Sequence, residues 1–322
     1  RGGPRRPPGL ASAAPPDDDE DVRDAITAHA ADVLGLTAAA AATAPLPGAP
    51  ACPVLPADNV WNRSVDGLPV LPGSDAIVRS IGLGSSLHAD FSDAGRYGIP
   101  VNIVSARTPT SRVRFDYASE SDRVRYPIPA RPKIEGGGDR HLLMLDKSAC
   151  RLYELFAVQR TGSGWRAGSG AVYDLRSNRL RPAGWTSADA AGLPILPGLA
   201  RVDEVRRGTI DHALRFTAPR TRSAYVYPAR HAAGAGSDPS LPPMGLRVRL
   251  KSSVSLAGYG PQARALLTAL KRYGMILADN GSPWYVTGAP AAGWDDDDLH
   301  GLGRITGADF EVVDTRGLRN GR

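Results

Sequence analysis

Residues 246–250 read Leu-Arg-Val-Arg-Leu. Apolar and polar residues alternate strictly, which is the period of a strand with one dry and one wet face. Val113-Arg-Phe115-Asp-Tyr117, within a predicted strand over 112–117, repeats the pattern. Working outward, further strands are predicted at Val101–Ser105, His141–Asp146, Leu152–Gln159, Gly170–Leu175, His212–Thr217, Ala224–Tyr227, Met275–Ala278, Trp284–Val286 and Phe310–Val313. Frequent Gly (36) and Pro (28) supply the turns between them. Two helices interrupt the series. Pro261–Tyr273 opens on Pro, aligns Leu266, Leu267 and Leu270, and is followed by Gly274. Asp295–Leu302 opens on four Asp, which suit the positive end of a helix dipole. The same Asp run is open to reading as a calcium site. The pattern predicts a mainly β domain with a β-sandwich or jelly-roll-like core and two or three peripheral helices. A closed β-barrel or an α+β arrangement is the alternative.

The chain has 322 residues, enough for a substantial core. Its longest apolar stretch, Leu36 to Leu46, is too short to span a bilayer, so no membrane span is expected. The net charge is +6, and only Lys133, Lys147, Lys251 and Lys271 among the 39 basic residues are Lys. The arginines are scattered among acids, which argues against nucleic acid as a partner. Residues 1–52 read as a flexible Pro/Ala-rich segment with one helix over Asp21–Leu36, and residues 53–322 as a single globular β-rich domain. The two cysteines, Cys52 and Cys150, are either one disulfide or two unrelated buried thiols.

Four polar segments carry more chemistry than a fold requires. In 134–141, Glu135, Asp139, Arg140 and His141 bracket three glycines that permit close approach of a ligand. The loop from Gly184 to Glu204 offers Trp185, Asp189, Asp203 and Glu204. In 210–216, His212 lies on an otherwise apolar strand face. Arg230 and His231 sit where a strand opens onto a long loop. Asp279-Asn-Gly-Ser-Pro-Trp284 is a turn signal whose Trp284 is a candidate cleft residue, and His88-Ala-Asp90 reads as structural.

Four strings carry a resemblance. They are Pro-Ala-Asp-Asn-Val-Trp-Asn (56–62), Glu-Gly-Gly with Asp-Arg-His (135–141), Gly-Trp-Thr-Ser-Ala-Asp-Ala-Ala-Gly-Leu-Pro-Ile (184–195) and Asp-Asn-Gly-Ser-Pro-Trp-Tyr (279–285). Over residues 53–318 the chain resembles a group of exported bacterial proteins found in actinobacteria, proteobacteria and myxobacteria. The resemblance implies export and a single domain, and carries over no catalytic residue.

The expected function is a secreted, monomeric enzyme cleaving a polysaccharide or cell-wall glycan, by carboxylate-assisted hydrolysis or by β-elimination. Glu135, Glu204 and Asp139 are the candidate acids and bases, with His212 or His231 as base in an elimination. Arg140, His141, Trp185, Asp189, Arg230 and Trp284 are the candidate substrate contacts. One alternative is a non-catalytic extracellular glycan-binding module. The other is a metal-dependent hydrolase using His141, His212 and His231, although no His spacing supports a metal and no cofactor is expected.

Overall fold

The computed structural model describes residues 43–92 and 96–318. The helix expected over Asp21–Leu36 lies outside them. The stretch 43–52, assigned by composition to the flexible segment, is packed instead. Leu46, Ala49 and Cys52 are buried in the main core, and Cys52 is bonded to Cys150 across 98 positions.

The protein is mainly β; the described residues form three sheets, none of which closes into a barrel. The largest sheet has six strands: β1 (His88–Asp90), β10 (Leu214–Ala218), β11 (Arg247–Leu250), β12 (Met275–Asn280), β13 (Tyr285–Thr287) and β14 (Phe310–Val312). Their order is β1-β13-β10-β12-β11-β14, with mixed directions. A second sheet runs β2 (Val101–Val104), β5 (Leu142–Asp146), β6 (Arg151–Leu155), β9 (Gly170–Asp174). A third runs β4 (Arg125–Tyr126), β3 (Ser111–Phe115), β8 (Gly164–Ala167), β7 (Gln159–Thr161).

The second sheet is the middle layer, as the parity of β5 shows. Leu143 and Leu145 join the main core shared with the six-stranded sheet. Leu142 and Met144 join a smaller core with Phe115, Tyr126 and Trp165 of the third sheet. A strand dry on both faces reads as a continuous apolar run, which is what Leu-Leu-Met-Leu is.

Four α-helices are described: α1 (Ser74–Gly82), α2 (Val202–Arg206), α3 (Pro261–Arg272) and α4 (Asp296–His300). The expected α3 and α4 are present within a residue or two. The Asp run at 295–298 caps helices: Asp295 accepts from the Asp298 backbone N–H, and Asp298 accepts from the Gln262 and Ala263 N–H groups that open α3.

Three strand expectations need correcting. Ala224–Tyr227 forms only an isolated bridge from Tyr225 to Met244, because Pro228 follows and has no N–H for a ladder. Leu152–Gln159 breaks after Leu155, where Ala157 turns to a φ of 51°. Arg247, expected on a wet face, is buried, and its guanidinium donates to the carbonyls of Val60, Arg63 and Tyr273.

Candidate functional site

Register across the six-stranded sheet aligns polar side chains on one face. Asp90 on β1 pairs with Thr287 on β13, and the Arg215 guanidinium of β10 donates to the Thr287 hydroxyl. A second row joins His88, Tyr285 and Thr217. Asp279 on β12 would face away by simple alternation, since Leu277 pairs with Phe216 on the opposite face. A bulge shifts the register, so that Asp279 pairs with Thr217. Bulges re-aim side chains in this way. The freed carbonyl of Ala278 accepts the Ala191 N–H, which anchors the loop carrying Asp189.

That loop and the segment before β5 close over the polar face. Asp189 is fully buried and takes two hydrogen bonds from Arg215, 2.9 Å from Nε and 2.7 Å from Nη2. The Arg215 guanidinium is held charged: burial opposes its charge, and Asp189 outweighs the burial. Glu135 accepts from the His141 backbone N–H and lies 2.5 Å from His141 Nδ1. His141 Nε2 is 3.0 Å from the Ala188 carbonyl. Both ring nitrogens therefore face acceptors, which fits an imidazolium. Burial works against both charges, but the hydrogen bond and mutual attraction win. The Glu135 carboxyl sits below its usual range and His141 above its own.

Around this frame stand carboxyls with raised affinity for protons. Burial, then the charge of Asp189, pushes Asp279 up to about 7. Arg215 lies 3.9 Å from it, but is already committed to Asp189. Partial burial, reinforced by the charge of Glu135, raises Asp90 at the solvent edge. Glu154 of β6 is completely buried and accepts from the Ile195 and Leu196 N–H groups, yet burial still lifts it to about 7. Asp279 and Glu135 keep side-chain exposures of 23% and 18%, whereas Asp189 has none. The arrangement is a buried Arg215–Asp189 ion pair with Asp279, a carboxyl of raised proton affinity, 3.9 Å from the guanidinium, and Glu135 within the same electrostatic field.

The remaining expected residues go elsewhere. Glu204 and His212 form their own buried pair at 3.2 Å, with Arg201 beside them. Glu135 is held by His141, whereas Glu204 is held by His212 and Arg201, so the two carboxylates expected to act together have different partners. Asp139 is exposed and tied through its carbonyl to Ala157, and Arg140 donates to the Val158 carbonyl. His231 contacts the Ala190 carbonyl and lies 3.9 Å from Glu120. Arg230 donates to the Arg181 carbonyl. Trp185 lies under the Arg181 guanidinium in a cleft with Tyr173 and Arg179. Trp284 is a core residue, stacked between Phe216 and Phe310 and donating to the Gly82 carbonyl. The three histidines thus have separate partners, and among the described residues no group of three or more His, Cys, Asp or Glu is poised to hold a metal ion.

Of Arg215, Asp279 and Asp90, the sequence reading takes Asp279 only as the start of a turn and Asp90 only as structural, and passes over Arg215. An arginine flanked by Leu214 and Phe216 was the available signal. Comparison with protein families, curated proteins and solved structures gave no match. Among the described residues no helix is long and apolar enough to cross a membrane.

Proposed function

We propose that the chain is an exported enzyme that hydrolyses a glycosidic bond, with Asp279 as general acid and Glu135 as general base or nucleophile. One observation carries this reading: Asp279 and Glu135 both feel the charges of Arg215 and His141, and their environments drive their proton affinities apart, Asp279 upward and Glu135 downward. Asp279 gives its proton to the departing oxygen as the bond to the anomeric carbon breaks. Glu135, held ionised by His141, either takes a proton from the attacking water or attacks that carbon itself. Arg215 steadies the new charge on Asp279. Glu135 keeps its expected role, and Asp279 takes the one expected of Glu204. The Cys52–Cys150 bond supports export, because such bonds persist in oxidising compartments.

The test is incubation of the purified chain with a panel of polysaccharides, following new reducing ends and the absorbance of unsaturated uronates. New ends without that absorbance support hydrolysis; unsaturated products replace it with β-elimination. Asp279→Asn should lower kcat by about 10²–10⁴-fold while leaving binding in place. Equal turnover by this variant, or no cleavage of any glycan, overturns the reading.

A further inference from the structure

The outer face of the third sheet carries arginines in opposed pairs. Arg112 on β3 sits directly across from Arg125 on β4, and Arg114 on β3 directly across from Arg166 on β8. Like charges facing each other across strands destabilise a sheet. Arg123, exposed beside this face, adds a fifth positive charge and lines a groove with Arg112, Arg114 and Arg125. Carboxylates do little to neutralise the group. Asp116 pairs with Arg166 at 2.7 Å. Asp122 is taken by Arg181 and the Val172 N–H, and Glu120 by the Thr186 N–H. Arg125 and Arg123 donate to the Thr110 and Ala118 carbonyls. The Arg112 and Arg114 guanidinium groups meet no carboxylate among the described residues.

Alternation along β3 sets Arg112 and Arg114 about 7 Å apart, with neighbouring strands about 5 Å away. The result is a flat lattice of planar forks, each suited to a carboxylate or sulfate. Of the strands' own rings, Tyr126 is buried in the smaller core and Phe115 and Trp165 pack half-buried against it, with Phe115 alone also lining the arginine groove. Tyr117 is exposed but lies past the strand end. The face therefore reads charge and offers no series of rings on which successive bases stack, as single-stranded nucleic acids need.

We propose that this face docks an acidic polysaccharide, a polymer bearing carboxylate or sulfate groups, and so makes the substrate of the cleavage centre an anionic glycan. The second half of this statement rests on the glycan reading of the Asp279 cluster. The first half stands on the lattice alone. The ligand's anions relieve the repulsion between the paired arginines, so binding and stability oppose each other on this surface.

The test titrates the full chain with a polyuronate, a sulfated glycan, a neutral glucan and duplex DNA at low and raised salt. Binding to one or both acidic glycans, weakening with salt, is expected, with none to the glucan and weaker binding to DNA. The two acidic polymers tell carboxylate from sulfate recognition. Arg112→Gln with Arg114→Gln should weaken glycan binding by about tenfold or more while keeping or raising the thermal midpoint. Wild-type affinity in that variant, or tighter binding to DNA than to either glycan, overturns the docking proposal. Binding without cleavage of the bound polymer leaves docking intact and removes the hydrolase reading.

Discussion

Asp279 and Glu154 are carboxyls held near neutrality for different purposes. Asp279 keeps contact with solvent and stands beside a committed arginine, so its proton can leave and return. Activity that needs it protonated should fall as pH rises through about 7, and the acid limb should follow Glu135 below the usual carboxylate range. A pH–rate profile with no loss above neutrality would remove Asp279 from the acid role. Glu154 has no solvent contact and no place in the reaction, so its proton is a matter of stability. Between its ordinary 4.5 and its folded value of about 7, the native state holds a proton that the unfolded chain has released. Stability from this group therefore declines as pH rises through that window. Glu154→Gln should flatten the fall of the thermal midpoint between those limits, and an unchanged slope in the variant would refute the assignment.

Elements were more legible than the aims of their side chains. Period-two runs located β3 and β11, a short apolar run located β12, and the Leu stripe of α3 ended just before Gly274 as anticipated. Glu135 and His141 stood out because polar residues bracketed a glycine run. Asp279 did not, because its direction depends on the bulge in β12, and a bulge leaves no trace in alternation. Arg215 and Arg247 were hidden for a related reason: their partners come from loops distant in sequence, and those partners turn an apparently wet position dry. β4 and β7 were missed because two or three residues cannot establish a period. At the α3–β12 junction Gly274 has a φ of 65°, and a Cβ there would stand 2.2 Å from the Val248 carbonyl oxygen. Gly274→Ala should cost about 1–3 kcal/mol, read as a lower denaturation midpoint. A midpoint equal to wild type would show that the turn tolerates a side chain.

For the whole molecule, the bond between Cys52 and Cys150 ties the segment entering the core to the turn between β5 and β6. Closing a loop of roughly 100 residues restricts the unfolded chain by about 4–5 kcal/mol in the chain-entropy account. Cys52→Ser with Cys150→Ser should show a clear loss of stability in denaturant titration, and reductant should reproduce it in the wild type. Equal stability of bonded and unbonded forms would contradict this. The two-sided strand β5 has a calorimetric consequence. Its odd-numbered leucines belong to one hydrophobic room and its even-numbered Leu142 and Met144 to the other. Neither room can empty without dismantling the wall they share, so heating should yield one endotherm whose calorimetric and van't Hoff enthalpies agree.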